Sequence, residues 1–267
     1  MLKNWINQLS RHWKTYLLLA VLVVVSVFNI RPVAKSVFET ISIAEASKRK
    51  LPIYSVETPE KLVAVTFDAA WGADDTDDLL SILKQYDVKA TFFLCGYWVD
   101  KYPDEVKKIY ADGHDIGNHS NTHAHGAQLS LAQNKEEIIN ADEKIRNLLG
   151  ISMDLYRPPY GEYNNTVIQA AEDCKYYPIQ WDVDSLDWMN RGVDDEVNRV
   201  LHNKNLRNGS IILFHNDAKY TPEALPIILR GLKAQGYTIV PVSTLIYRDN
   251  YKIDSEGRQI PNRANGT

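Results

Sequence analysis

The chain has 267 residues, 45% of them hydrophobic, and a formal net charge of −4. That length supports one sizeable core or at most two small ones, and the charge excludes the basic bias expected of a nucleic-acid-binding protein. Two cysteines, Cys95 and Cys174, are read as unpaired, buried thiols and do not report a redox compartment.

Residues 1–15 contain Lys3, Arg11 and Lys14 and read as a cytoplasmic N-terminus. Residues 16–30 carry no charge from Tyr16 to Ile30, with Trp13 and Tyr16 at the entry. The run is shorter than the roughly 20 residues that span a bilayer comfortably. Its basic flank and aromatic edge still favour an uncleaved, single-pass signal anchor, with the rest of the chain outside the cytoplasm. A cleaved signal peptide is the alternative. Residues 31–60 read as a stalk, 61–248 as one folded domain and 249–267 as a polar, disordered tail.

From Leu62 strands and helices alternate. Strands are predicted over 62–67, 89–95, 114–119, 177–184, 210–214 and 238–242. Helices are predicted over 74–86, 103–111, 130–149, 164–174, 194–206 and 221–235. The clearest helix is capped by Ser130 and stopped by Gly150. Such alternation predicts parallel β-α units, here an α/β fold of the distorted or incomplete (β/α) barrel kind behind one N-terminal membrane anchor.

Five polar clusters fall at carboxyl ends of these strands, the face that carries active sites in parallel barrels. They are Thr66-Phe67-Asp68, His119-Ser120-Asn121-Thr122-His123, Arg157-Pro158-Pro159-Tyr160-Gly161, Asp184-Ser185-Leu186-Asp187-Trp188 and Leu213-Phe214-His215. His119 and His123 have the i, i+4 spacing that points two imidazoles the same way on a helical turn, as a metal requires.

In this order the clusters resemble the polysaccharide deacetylase family, the nodulation-type homology domain of carbohydrate esterase family 4. The resemblance covers about Leu62 to Leu245. The variant Thr66-Phe67-Asp68-Ala69-Ala70-Trp71-Gly72, with the anchor, most resembles the sporulation-associated branch. The resemblance implies an N-deacetylase acting on a cell-envelope glycan, most plainly peptidoglycan. One position departs from the pattern. Where the family usually places a second, metal-binding Asp, this chain has Ala69.

Removing an acetyl group from an amide takes an activated water, a polarised carbonyl, a stabilised oxyanion and a proton for the leaving amine. Asp68 is the expected general base, with Arg157 keeping it ionised and oriented. His215 is the expected general acid, with Asp184 holding its other ring nitrogen and Asp187 as the rival for that role. Leu213 and Trp188 are expected to line the acetyl pocket. The family match gives the Tyr160 backbone N–H to the oxyanion. His119 and His123 are expected to hold a divalent metal, zinc by default, with Asp74, Asp75 or His125 as third ligand. The expected partners are the wall glycan and the membrane, and the chain is expected to be a monomer. Two competing readings remain: a non-catalytic wall-glycan-binding protein with an impaired metal site, and a glycosidase using Asp68 with Asp184.

Overall fold

The computed structural model describes residues 49–262. The expected cytoplasmic segment, the anchor, residues 31–48 of the stalk and residues 263–267 lie outside them. Among the described residues, no helix is long and apolar enough to cross a membrane.

The elements run β1 (Ser55–Val56), β2 (Leu62–Ala69), α1 (Thr76–Gln85), β3 (Thr91–Leu94), α2 (Gly96–Lys101), α3 (Pro103–Ala111), β4 (Asp115–Asn118), α4 (Leu131–Leu149) and β5 (Leu155–Tyr156). They continue with α5 (Asn165–Asp173), β6 (Tyr177–Pro178), β7 (Val183–Asp184), α6 (Val193–Leu201), β8 (Ser210–His215), α7 (Thr221–Ala234), β9 (Thr238–Ile239), α8 (Val242–Leu245), β10 (Tyr251–Ile253) and β11 (Arg258–Pro261). Three short 3-10 turns, Gly126–Gln128, Pro159–Gly161 and Asp187–Met189, interrupt the loops.

The central strands pair in parallel in the order β8-β2-β3-β4-β5-β6, and β7 returns to pair with β8. The sheet therefore curls on itself as a distorted (β/α) barrel. Alternation along β2 divides the core. Val63, Val65, Phe67 and Ala69 join the larger apolar cluster with Leu79, Leu83, Ile109, Ile138 and Leu225 from the helices. Ala64 joins the smaller interior cluster with Phe93, Leu155, Ile179 and Ile211. Thr66 and Asp68 share the parity of Ala64.

Sequence and structure agree closely where local signals are strong. α4 begins on a capping box between Ser130 and Gln133 and ends on Gly150 in the left-handed conformation, φ 73°. The predicted strand over 177–184 is instead broken in two. Gln180 gives its N–H to Ile53, within the isolated Ile53–Ile179 bridge, and its carbonyl to the Arg157 guanidinium, so the strand does not run on. The 96–101 helix has no counterpart in the sequence reading. The stalk as read also ends early, because Ile53 bridges Ile179 and β1 sits in the sheet.

The tail is not disordered over 251–261. β10 and β11 form an antiparallel pair, and β11 runs parallel to β1. Its polar residues are used internally: the buried Gln259 side chain bonds both the N–H and the carbonyl of Tyr247. Gly257 at the turn has φ 78°, and a Cβ there would meet the Tyr54 ring at 2.3 Å.

Candidate active site

β2 and β8 are register neighbours, and Asp68 lies opposite His215. Two cross-strand neighbours on one face sit one strand spacing apart, so the pairing itself brings a carboxylate and an imidazole together. Asp68 is 6% exposed and Arg157 is fully buried. Arg157 Nη1 lies 2.7 Å from Asp68 Oδ1 and 2.8 Å from Thr66 Oγ1, and Nη2 donates to the Gln180 carbonyl. The guanidinium packs between the Phe93 ring, 4.1 Å from its centroid, and Trp181 at 5.5 Å. Burial opposes ionisation of Asp68, but Arg157, His119 and His215 outweigh it and hold the carboxyl below its ordinary pKa. The side chain is thus an anion with fixed orientation.

His119 and His123 do meet, with ring centroids 4.9 Å apart. They do so on a loop, not on the helical turn that their spacing suggested. Ser120 and His123 both have positive φ, 65° and 56°. Glu137 on α4 holds that loop: it accepts from the Ser120 hydroxyl, the Asn121 and Thr122 N–H groups and the Thr122 hydroxyl, all within 3.0 Å. Asn118 Oδ1 and Ser120 Oγ accept the N–H groups of Ser120 and His123. No local pattern marks Glu137, because its partners lie 15 to 17 positions earlier in the chain.

His215 is oriented by Asp187, not by Asp184. Asp187 is fully buried, and its carboxylate takes the His215 Nδ1 at 2.7 Å and the His215 backbone N–H at 2.7 Å. Asp184 instead accepts from Trp181 Nε1 at 3.1 Å and from the Leu186 N–H at 2.9 Å. Leu186, at φ 51°, turns the chain between the two acids, and that turn selects which one faces the ring. Burial works against the His215 imidazolium, yet Asp187, Asp68 and Asp184 together raise its pKa above the ordinary value. With Nδ1 taken, Nε2 is left for the cleft.

The cleft has a volume of about 620 Å³ and is lined by Asp68, His119, His123, Asp184, Leu213 and His215, with Tyr160 and Trp188 at its mouth. The expected base, acid, histidine pair and pocket residues therefore line it together with Asp184, whereas Arg157 stands behind Asp68 and Asp74, Asp75, His125 and Asp187 do not line it. Trp71 and Trp181 also line it, and the sequence reading gave neither a role. Trp71, Tyr160 and Trp188 are more than half exposed, which gives the opening an aromatic rim. Tyr160 adopts φ 60°, a conformation that costs a non-glycine residue energy and marks functional loops. Asp68 can take a proton and His215 can give one within a single cleft, which is the requirement for hydrolysing an amide.

The histidine pair offers two ring nitrogens to a metal. His119 Nδ1 donates to the Arg157 carbonyl at 2.8 Å, so Nε2 carries the lone pair, 3.7 Å from Asp68 Oδ2. His123 Nδ1 is buried with no hydrogen-bond partner. Burial keeps both rings neutral, and His123 is pushed down to about 3 by burial and then by His119. These are two sound nitrogen donors. Ala69 is buried and brings none. His125 is spent on Glu162 and stacks on Tyr160, Asp75 accepts from the Asp217 N–H, and Asp74 does not line the cleft. No group of three metal-binding side chains exists among the described residues. The donor set falls short of the three protein ligands of a catalytic zinc.

The sequence model described as polysaccharide deacetylase matches residues 55–179. A peptidoglycan-N-acetylglucosamine deacetylase of Bacillus cereus is 36% identical over 198 residues, 72% of this chain and 92% of the relative. The chain belongs to the polysaccharide deacetylase family. Its peptidoglycan deacetylase members are hydrolases of carbon–nitrogen bonds. A solved peptidoglycan deacetylase of Bacillus subtilis has a TM-score of 0.64 and 33% identity over 71% of this chain and 92% of its own. A family 4 pseudoenzyme of Bacillus anthracis has a TM-score of 0.70 and 31% identity over 78% of this chain and 72% of its own. The family fold thus accommodates both active and inactive chains.

Proposed function

We propose that this chain removes acetyl groups from the acetamido sugars of peptidoglycan at the outer face of the cell membrane. The observation that supports this most is that Asp68, held by Arg157, and His215, held by Asp187, open into one cleft. Asp68 accepts a proton from water as the water oxygen attacks the acetamide carbonyl carbon. The family match assigns the developing oxyanion to the Tyr160 backbone N–H. As the carbon–nitrogen bond breaks, His215 Nε2 passes its proton to the departing amine. Acetate and a free amino sugar result. His119 and His123 would be the two protein ligands of any divalent cation held here, zinc by ligand preference, and such an ion would polarise the acetamide carbonyl.

Membrane attachment through residues 16–30 rests on the sequence, as does a setting in sporulation. Attachment predicts that full-length protein stays with membranes after a high-salt wash, since apolar burial does not respond to screening. A mature N-terminus beyond Ile30 would refute it.

A second reading, wall-glycan binding without turnover, is favoured by Ala69 and by the likeness to the pseudoenzyme. Acetate release from peptidoglycan and from chitin oligomers, with and without added zinc or cobalt, separates the readings. Released acetate supports deacetylation. Binding without product supports the second reading, and new reducing ends overturn both.

A further inference from the structure

Behind the His215–Asp187 pair stands a second buried carboxyl, Glu196 in the first turn of α6, 1% exposed. Thr221, the first residue of α7, places its hydroxyl 3.2 Å from Asp187 Oδ2 and 3.2 Å from Glu196 Oε2. A hydroxyl has one hydrogen, so it donates to only one of these oxygens, and an ionised carboxylate can only accept. If both acids were ionised, one contact would set lone pair against lone pair in a buried site. Asp187 is the ionised member. It accepts from the Trp188 and His215 N–H groups and from His215 Nδ1, and Thr221 is the fourth donor, which fills a carboxylate's capacity. Glu196 has the opposite balance, because its Oε1 is buried with no hydrogen-bond partner. An orphaned anionic oxygen there would be far costlier than an orphaned carbonyl.

We infer that Glu196 is a positioning residue that stays protonated, donates Oε2–H to Thr221 and so commits the Thr221 hydrogen to Asp187. Burial first, then Asp187 and Asp195, raises the Glu196 pKa to about 7, in the same direction. The arrangement fixes the Asp187 carboxylate from behind without adding a second negative charge. His215 then faces one close buried anion instead of two on that side, so its proton is held but can still leave.

The kinetic arm of the test rests on the deacetylase reading, whereas the titration arm does not. The His215 ring is titrated by NMR in the full chain, its signal assigned by loss in His215→Ala. In Glu196→Gln the amide keeps a donor for Thr221 and changes no charge if Glu196 is neutral. The His215 pKa is then expected to stay within about half a unit of wild type. A fall of about one unit or more would show that an anion had been removed, and would overturn the inference. Thr221→Val removes the link while Thr221→Ser keeps it. The Val variant is expected to lower kcat about tenfold at unchanged KM, and Ser to restore it. The His215 Nδ1–H is also expected to exchange faster in the Val variant. Wild-type kcat and exchange in Thr221→Val would end the positioning role. If wild type releases no acetate, the proposed function fails and the titration and exchange still decide this inference.

Discussion

The Arg157 carbonyl accepts a 2.8 Å hydrogen bond from His119 Nδ1, while the guanidinium of the same residue holds Asp68. One buried residue therefore sets both the direction of the base and the tautomer of the first histidine. Arg157→Lys is expected to fail at this task. Lysine cannot reproduce the fork that reaches Thr66, Asp68 and Gln180 together. Turnover should fall by about 10²-fold or more, as for loss of a base, and stability by about 2–4 kcal/mol. Acetate release and denaturant unfolding check the two values.

Asp187 should matter more than Asp184. Asp187→Asn removes the anion that touches His215, whereas Asp184→Asn removes one that only acts at a distance. A general acid works while protonated, so activity falls as pH rises through the His215 pKa. That pKa lies above 6.5 in the wild type, and Asp187→Asn is expected to move the alkaline limb downward. Stability from the same pair is full below 6.5 and is lost as pH climbs through the folded value. The acid limb, set by Asp68, should sit below the ordinary 3.8 of a carboxyl. A pH–rate profile in which Asp184→Asn shifts the alkaline limb and Asp187→Asn does not would reverse this ranking.

Glu137→Ala should loosen the histidine loop. Its carboxyl serves four donors, and removal leaves backbone N–H groups of Asn121 and Thr122 without that partner. A loss of about 1–3 kcal/mol is expected in denaturant unfolding. The His119 and His123 ring signals should broaden while His215 stays sharp. Equal broadening of all three would mean a global defect.

The elements that sequence revealed are those whose causes lie close in the chain. Ser130 and Gln133 cap a helix within three residues, and Ser210 to Phe214 is an apolar run that can only be a buried strand. The residues of the candidate site were legible as residue types at strand ends. Their wiring was not. His119 and His123 have helical spacing, yet Glu137 from another element forces positive φ between them. Asp184 and Asp187 are chemically equal until the Leu186 turn points one at His215. Gln259 looks solvent-bound until Tyr247 is folded against it.

Ala69→Asp places a carboxylate where the family pattern has its metal ligand. Ala69 lies in the main apolar cluster, so an uncompensated charge there should lower the melting temperature of metal-free protein. Added zinc should recover that loss, because binding to the folded state alone stabilises it. Bound metal per chain is expected to rise above wild type, and acetate release with it. Calorimetry with and without a chelator, beside metal analysis, checks this. An unchanged metal content would show that the missing carboxylate is not what limits the site.

β1 lies in the sheet between β8 and β11, with β11 contributed by the last described residues. A ribosome delivers these neighbours far apart in time: the first strand emerges just over two hundred residues before its parallel partner. The amino-terminal edge of the sheet therefore cannot be completed during synthesis and must wait for the finished chain. Closing so long a loop is entropically slow, and this seam is expected to be the last to gain protection from amide exchange during refolding.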